Sequence, residues 1–281
     1  MESTFFKVEI DGAIAHLIMN RADKANAMSP DFWADLPRLM RALDKMPDMR
    51  AVVISGEGKH FTSGMDLSAF TPIGELSQGE PARGAYAIRD LILYLQDAFN
   101  AMEECRLHVI LAIHGACLGG GIDFMTAADI RIASEDAYFG IEEIQIGMAA
   151  DVGTLQRLPK LIAPGIVREL AYTGRRFSAQ EALGWGLLNS VHKDKEETLS
   201  AALDLAQEIA SKAPIAIAGI KNALNYARDH SVCEGLDHIA TWNGGMLRPE
   251  DLMKAIQARA QKQTAEFADM LPYQVAEESK K

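Results

Sequence analysis

The sequence is poor in cysteine and lacks the spacings that bind metals. Its 281 residues include three cysteines, and no two of them form a C-x-x-C pair. Free thiols in a reducing compartment are therefore the simplest interpretation. The seven histidines include no H-x-x-x-H and no H-E-x-x-H pattern, so the sequence indicates no zinc site. We expect neither a bound metal nor a separate cofactor.

The sequence also lacks an excess of basic residues and a long apolar run. Lys and Arg number 28 against 39 Asp and Glu, a net charge of -11, whereas nucleic acid binding needs clustered positive charge. The most apolar run, residues 107–118, contains two histidines and is too short to span a bilayer. We therefore expect no nucleic acid and no membrane partner. Residues 1–11 show no leader pattern and the last residues are not S-K-L, which favours a cytoplasmic location.

Strand and helix patterns alternate along most of the chain and then become purely helical. An Asp-Gly pair at residues 11–12, between two apolar runs, predicts a β-hairpin. Apolar residues that recur at helical spacing predict a long helix over residues 83–105. A short apolar run on each side of this helix predicts a buried strand. The order predicts an α/β core followed by an all-helical domain, with the two parts over residues 1–194 and 195–281.

Two glycine-rich segments each follow a predicted strand. Residues 58–67 read GKHFTSGMDL, and residues 118–123 read LGGGID. Small residues at such places let backbone N–H groups face a ligand, although a plain loop or close packing of a helix on a strand explains them equally well. A P-loop would need glycine at Val53, and a dinucleotide fingerprint would need glycine at Phe124. Kinase-like and dehydrogenase-like functions fail on these spacings.

Acidic residues occur in a strongly apolar segment further along the chain. Residues 139–151 read FGIEEIQIGMAAD. A carboxyl group in apolar surroundings has a raised pKa, which suits it for proton transfer. Solvated loop charges are the alternative that the spacing alone leaves open.

In their order and spacing, the three segments resemble the crotonase (enoyl-CoA hydratase/isomerase) superfamily. The resemblance covers most of the chain and includes NRADKANAM at 20–28, TLQRL at 154–158, YTGRRFSAQEA at 172–182 and GWGL at 184–187. It implies a spiral of ββα turns followed by a C-terminal helical trimerisation domain. It also implies an acyl-CoA substrate and a trimer or a dimer of trimers.

In this superfamily two backbone N–H groups hold the thioester oxygen, and the matching residues are Met65 and Gly120. Removing a proton next to a thioester makes an enolate, whose negative oxygen needs such donors. The resemblance also assigns a set of residues to substrate and CoA binding. They are Lys24, Ala25, Ala27, Ser63, Gly64, Asp66 and Leu67.

Three carboxyl groups, Asp123, Glu143 and Asp151, resemble the pattern of one subfamily, the Δ3,5-Δ2,4-dienoyl-CoA isomerases. Hydratases have glutamates at the first two positions and a small residue at the third. The resemblance implies a β-oxidation enzyme in which Glu143 takes a proton from C2 and Asp151 protonates C6, with Asp123 assisting near C2. These carbons are too far apart in an extended acyl chain for one carboxylate to serve both.

Two other functions remain open from the residues. The first is an enoyl-CoA hydratase or another crotonase-type reaction, such as thioester hydrolysis or decarboxylation. Asp151 is the residue that argues against it. The second is a crotonase fold without catalysis that binds a partner such as RNA, against which the acidic net charge and the intact carboxyl groups argue.

Overall fold

The computed structural model describes residues 1–66, 74 and 80–272. Leu67, one of the residues predicted to bind substrate, lies outside the described residues. Residues 273–281 of the predicted helical domain lie outside them as well. All the other predicted site residues fall within the described part.

Two β-sheets form the centre of the fold. Their strands are β1 (Phe6–Asp11), β2 (Ile14–Met19), β3 (Ala51–Gly56), β4 (His108–Ile113), β5 (Ala116–Leu118), β6 (Ile130–Ser134), β7 (Tyr138–Gly140), β8 (Phe177–Ser178) and β9 (Ser190–His192). The larger sheet has six strands in the order β1-β2-β3-β4-β6-β9, and the smaller has three in the order β5-β7-β8. The predicted hairpin is confirmed, since β1 and β2 pair antiparallel with Asp11 opposite Ile14. The remaining neighbours in the larger sheet are parallel.

Helices alternate with these strands and then continue alone, as predicted. The described helices are α1 (Pro30–Asp44), α2 (Pro81–Glu104), α3 (Gly120–Ala127), α4 (Thr154–Arg157), α5 (Pro164–Thr173), α6 (Ala179–Gly184), α7 (Lys195–Ala210), α8 (Pro214–Asp229), α9 (Val232–Met246) and α10 (Pro249–Gln261). The long predicted helix is α2, which begins where the Glu80 carboxylate accepts backbone hydrogen bonds from Ala82 and Arg83. The predicted α/β class is confirmed.

The parallel strands β3 and β4 are buried on both faces. Val52 and Val109 face the main hydrophobic core, which they share with α1 and α2. Their neighbours Val53 and Ile110 face the other side of the sheet, where Ala202 of α7 covers them. A strand that is covered on both faces needs a continuous apolar run, which is the pattern seen in the sequence. The predicted boundary between residues 194 and 195 falls at the start of α7 and stays a prediction.

Helix α8 is anchored to the end of α2 by a buried lysine. Lys221 is 5% exposed, and its Nζ donates to Met102 O at 2.8 Å, Leu107 O at 2.7 Å and Asp129 Oδ2 at 2.8 Å. Each hydrogen of the ammonium group thus has an acceptor, which is what a buried charge requires. The contact holds the C-terminal end of α2 in place.

Candidate active site

The loop that follows β3 is tied to β5 by backbone hydrogen bonds. Thr62 donates its N–H to Ala116 O at 2.9 Å, and its own carbonyl accepts from Leu118 N at 3.2 Å. Gly64 has a φ of +91°, and a Cβ atom there would lie 2.7 Å from Leu118 O. Only glycine fits so close to a backbone carbonyl with a positive φ. The loop is therefore held against the start of α3.

The two predicted oxyanion donors are adjacent. A Cβ atom at Gly64 would lie 3.5 Å from Gly120 N, and one at Gly120 would lie 3.8 Å from Met65 N. On either side of Met65, Gly64 O accepts from Met28 N at 2.8 Å and Asp66 N donates to Met28 O at 3.1 Å. Neither the Met65 nor the Gly120 N–H donates to a group within the described chain. The pair can therefore donate to the oxygen of a ligand.

Glu143 lies beside these donors. It begins a 3-10 helix, Glu143–Ile146, and its Oε1 would be 3.6 Å from a Cβ atom placed at Gly119. Its Oε2 is buried and accepts no hydrogen bond from any described residue. Burial raises the pKa of the Glu143 carboxyl above its ordinary value, and the nearby charges of Asp151 and Glu142 raise it further. A carboxylate with a raised pKa and an unpaired oxygen is well suited to accept a proton.

Asp123 is the most deeply buried of the three carboxyl groups. It lies in α3, one turn after Gly120, and is 1% exposed. Its Oδ1 accepts a hydrogen bond from Thr154 N at 2.6 Å. Burial and the charge of Glu143 raise the pKa of Asp123 to about 7. Asp123 therefore keeps its proton to a higher pH than an exposed aspartate does.

Asp151 completes a cluster with the other two. Burial raises the pKa of its carboxyl, and its charge in turn raises the pKa of both Asp123 and Glu143. The Asp151 backbone is held from α2, where Gln96 Nε2 donates to Asp151 O at 2.7 Å. The structure thus brings the three predicted carboxyl groups together, each with a raised pKa. Their individual roles stay predictions.

The predicted CoA-binding segment runs along the oxyanion loop. Ala25 O accepts from Ser63 N at 2.9 Å, and Lys24 is exposed at the start of the segment. The carboxylate of Asp66 pairs with Arg21, whose Nη1 donates to Oδ2 at 2.6 Å. Asp66 therefore helps to hold this segment, and its predicted part in substrate binding stays a prediction.

Sequence reasoning missed Asn26, which joins the two segments. Asn26 is fully buried, and its Nδ2 donates to Glu57 O at 2.9 Å and His60 O at 2.8 Å. Its Oδ1 accepts from Arg21 N at 3.0 Å. Asn26 also has a φ of +51°, a conformation that asparagine tolerates better than most residues. In the sequence, the sign of this role is a single asparagine between Ala25 and Ala27.

The described residues offer neither a metal-binding cluster nor a membrane-spanning helix. Within residues 1–66, 74 and 80–272, no group of three or more His, Cys, Asp or Glu side chains could hold a metal ion. No helix in the same part of the chain has both the length and the apolar character needed to cross a bilayer.

Comparison with known proteins identifies relatives over most of the chain. A family model described as enoyl-CoA hydratase/isomerase matches residues 9–270. The chain is 47% identical over 247 residues to the mitochondrial Delta(3,5)-Delta(2,4)-dienoyl-CoA isomerase of Homo sapiens, covering 87% of this chain and 75% of that protein. It is 43% identical over 262 residues to the peroxisomal Delta(3,5)-Delta(2,4)-dienoyl-CoA isomerase of Arabidopsis thaliana, covering 92% and 94%.

A solved structure of similar fold supports the same relationship. An enoyl-CoA hydratase from Bacillus anthracis superimposes with a TM-score of 0.84 at 29% identity, covering 94% of this chain and 99% of that one. The predicted resemblance and the predicted fold are therefore confirmed. The predicted cytoplasmic location is contradicted, because the names of the relatives place them in mitochondria or peroxisomes. Location depends on short addresses that receptors read and not on the fold, so the acyl-CoA site itself gives no information about it.

Proposed function

The chain belongs to the enoyl-CoA hydratase/isomerase family, and we propose that it converts 3,5-dienoyl-CoA into 2,4-dienoyl-CoA in fatty-acid β-oxidation. The observation that carries the proposal is Asp151, a third carboxyl group with a raised pKa beside Glu143 and Asp123. The names of the human and Arabidopsis relatives support it.

The reaction removes one proton from C2 of the substrate and adds one proton at C6. Glu143 removes a proton from C2, and the electrons delocalise over the thioester and the diene as a dienolate. The N–H groups of Met65 and Gly120 donate to its oxygen, and one such donor is worth roughly 2.7–4 kcal/mol of barrier. Asp151 then gives a proton to C6, which leaves double bonds at positions 2 and 4.

The raised pKa values suit Asp151 to act as the acid and Glu143 to act as the base. Burial keeps Asp151 protonated to a higher pH than an exposed aspartate, so that it can act as an acid. The same effect makes Glu143 a stronger base once it is ionised. Asp123 assists near C2 by orienting or polarising the substrate, and when it is protonated it adds no negative charge beside the other two groups.

Binding of the substrate uses the segment beside the oxyanion loop. Lys24, Ala25 and Ala27 hold the CoA moiety. The loop residues Ser63, Gly64, Asp66 and Leu67 contribute to binding of the substrate and its CoA. Arg21 and Asp66 keep the two segments together through their ion pair. CoA arrives as part of the substrate, so the reaction needs no separate cofactor.

We further propose that the chain assembles as a trimer or a dimer of trimers through its C-terminal helices. Large apolar side chains are exposed on α9 and α10, among them Val232 at 80%, Leu236 at 63% and Ile256 at 54%. Surfaces of this kind usually mark protein contacts. Light scattering on the purified protein at micromolar concentration should give the mass of three or six chains, and the mass of a single chain would contradict the proposal.

Product analysis distinguishes the isomerase from a hydratase. The wild-type protein is offered a 3,5-dienoyl-CoA and a 2-enoyl-CoA in parallel, and the products are identified by mass spectrometry and ultraviolet absorbance. We expect rapid formation of the conjugated 2,4-dienoyl-CoA without a change in mass. Hydration of the 2-enoyl-CoA, which adds one water, should be far slower. Faster hydration than isomerisation would replace the proposal with the hydratase alternative.

A further inference from the structure

One face of α2 is bonded to the segment that carries Asp151. Gln96, Asn100 and Glu103 are spaced at i, i+4 and i+7, so they lie on the same face of the helix. Gln96 Nε2 donates to Asp151 O at 2.7 Å. Further along, Asn100 Oδ1 accepts from Arg157 Nη2 at 2.6 Å and Glu103 Oε2 accepts from the same atom at 2.9 Å. We call these three α2 residues the polar ladder.

The ladder holds both ends of a short segment, residues 151–157. Gln96 binds the first residue of the segment, and Asn100 and Glu103 bind the last one. Between them, Gly153 has a φ of +136°, and a Cβ atom there would lie 1.9 Å from Arg157 Nη1. Arg157 thus packs directly on the Gly153 backbone, which fixes the path of the chain just after Asp151.

Glu143 is positioned independently of the ladder. The turn that begins with Glu143 is held by a backbone hydrogen bond of its own, from Met148 N to Glu143 O at 3.1 Å. The same turn is tied to the end of α5, where Gln145 Nε2 donates to Thr173 O at 3.3 Å. Loss of a ladder contact should therefore move Asp151 without moving Glu143.

A polar cavity of about 350 Å³ runs along the ladder. Gln96 and Gln156 both line it, but they differ in what they bond. Within the described part of the chain, the Gln156 side chain forms no hydrogen bond, whereas that of Gln96 holds the Asp151 carbonyl. Val152 and Gly153, which directly follow Asp151, line the same space, and the Gln96 amide reaches past it to hold the Asp151 carbonyl.

We propose that Gln96 is a positioning residue, which places the Asp151 carboxyl for proton delivery to C6 by holding the Asp151 backbone. The inference rests on the proposed function, since it assumes that Asp151 is the acid. Gln96 acts through Asp151, at the far carbon of the diene, and within the described residues it forms no hydrogen bond with Glu143 or Asp123.

The test compares two identical substitutions that line the same cavity. Gln96→Met keeps the length of the side chain and removes its donor. Gln156→Met makes the same chemical change at a position whose side chain forms no hydrogen bond with any described residue. Two rates are measured for each variant: isomerisation of 3,5-dienoyl-CoA, and exchange of the C2 protons with solvent deuterium. Unfolding temperatures confirm that both variants are folded.

Gln96→Met should lower kcat for isomerisation by about ten- to hundredfold, because small misplacements of a reacting group have effects of that size. Its C2 exchange should stay within about threefold of wild type, and KM should be unchanged. Gln156→Met should match wild type in both rates. Equal losses of exchange and isomerisation in Gln96→Met, or unchanged rates in both assays, would overturn the inference.

Asp151→Asn, measured alongside, separates this inference from the proposed function. If Asp151→Asn loses isomerisation but Gln96→Met does not, the positioning role alone is wrong. If Asp151→Asn isomerises at the wild-type rate, the proposed acid is wrong and the positioning role falls with it.

Discussion

Replacing Asp151 with asparagine should lower the isomerisation of 3,5-dienoyl-CoA by roughly 10²–10⁴-fold, the range for a positioned acid or base. Asparagine keeps the shape of the side chain but has no acidic proton to give to C6. Exchange of the C2 protons with deuterated solvent should survive much better. Glu143 and the two backbone donors, Met65 and Gly120, remain in place to form the dienolate.

The matched control for this variant is Asp204→Asn, the same substitution at an exposed position of α7. It should leave both rates within about twofold of wild type, since exposed positions far from a site rarely matter. Isomerisation is followed by ultraviolet absorbance and C2 exchange by mass spectrometry. An Asp151→Asn enzyme with the normal isomerisation rate would remove Asp151 from the mechanism.

Replacing Glu143 with glutamine should abolish both reactions. Glutamine cannot accept the C2 proton, so no dienolate forms and neither exchange nor isomerisation can follow. We expect each rate to fall by roughly 10²–10⁴-fold. The two rates should fall together, in contrast to the selective loss expected for Asp151→Asn.

The neighbouring glutamate supplies the control. Glu142 pairs with Arg176, whose Nε lies 3.0 Å from Glu142 Oε1, so its carboxylate is already engaged. Glu142→Gln should therefore change each rate far less than Glu143→Gln does. It removes a weak ion pair and one of the charges that raise the Glu143 pKa, but it leaves the Glu143 carboxylate in place. If Glu143→Gln retained C2 exchange while Glu142→Gln lost it, the base would be assigned to the wrong residue.

The larger sheet was predictable because its strands follow simple rules of burial. The β1–β2 hairpin is marked by its Asp-Gly turn, and β3 and β4 are marked by short continuous apolar runs. These runs exist because α7 covers the face of the sheet opposite α1 and α2. The long α2 helix was predictable for a similar reason, since one of its faces packs on the core.

Two of the three strands of the smaller sheet were not predictable from local patterns, although a strand fragment at Tyr138 and Phe139, in β7, was. Its strands β5 and β8 have three and two residues, which is too short for alternation or an apolar run to be recognised. They are paired by contacts with chain segments that are distant in sequence. β8, for example, lies antiparallel to β7, with Phe177 opposite Phe139.

Local sequence patterns also failed to predict parts of the candidate site. Spacing did not indicate which of Glu142 and Glu143 points inward, because that depends on the turn that follows β7 and on the partner Arg176. The resemblance to a known family supplied the choice. Gln96 and Asp151 are 55 residues apart in the sequence. The residues around Gln96 and those around Asp151 do not predict that the two are in contact.

One isotope experiment tests the two-carboxylate mechanism most directly. A 3,5-dienoyl-CoA carrying deuterium at C2 is converted in a single turnover in ordinary water, and C6 of the product is examined by NMR. If Glu143 removes the C2 deuteron and Asp151 delivers a separate proton, C6 receives hydrogen from Asp151 and no deuterium. Deuterium at C6 would mean that one group carries the same nucleus from C2 to C6, and it would contradict the separate roles of the two carboxyl groups.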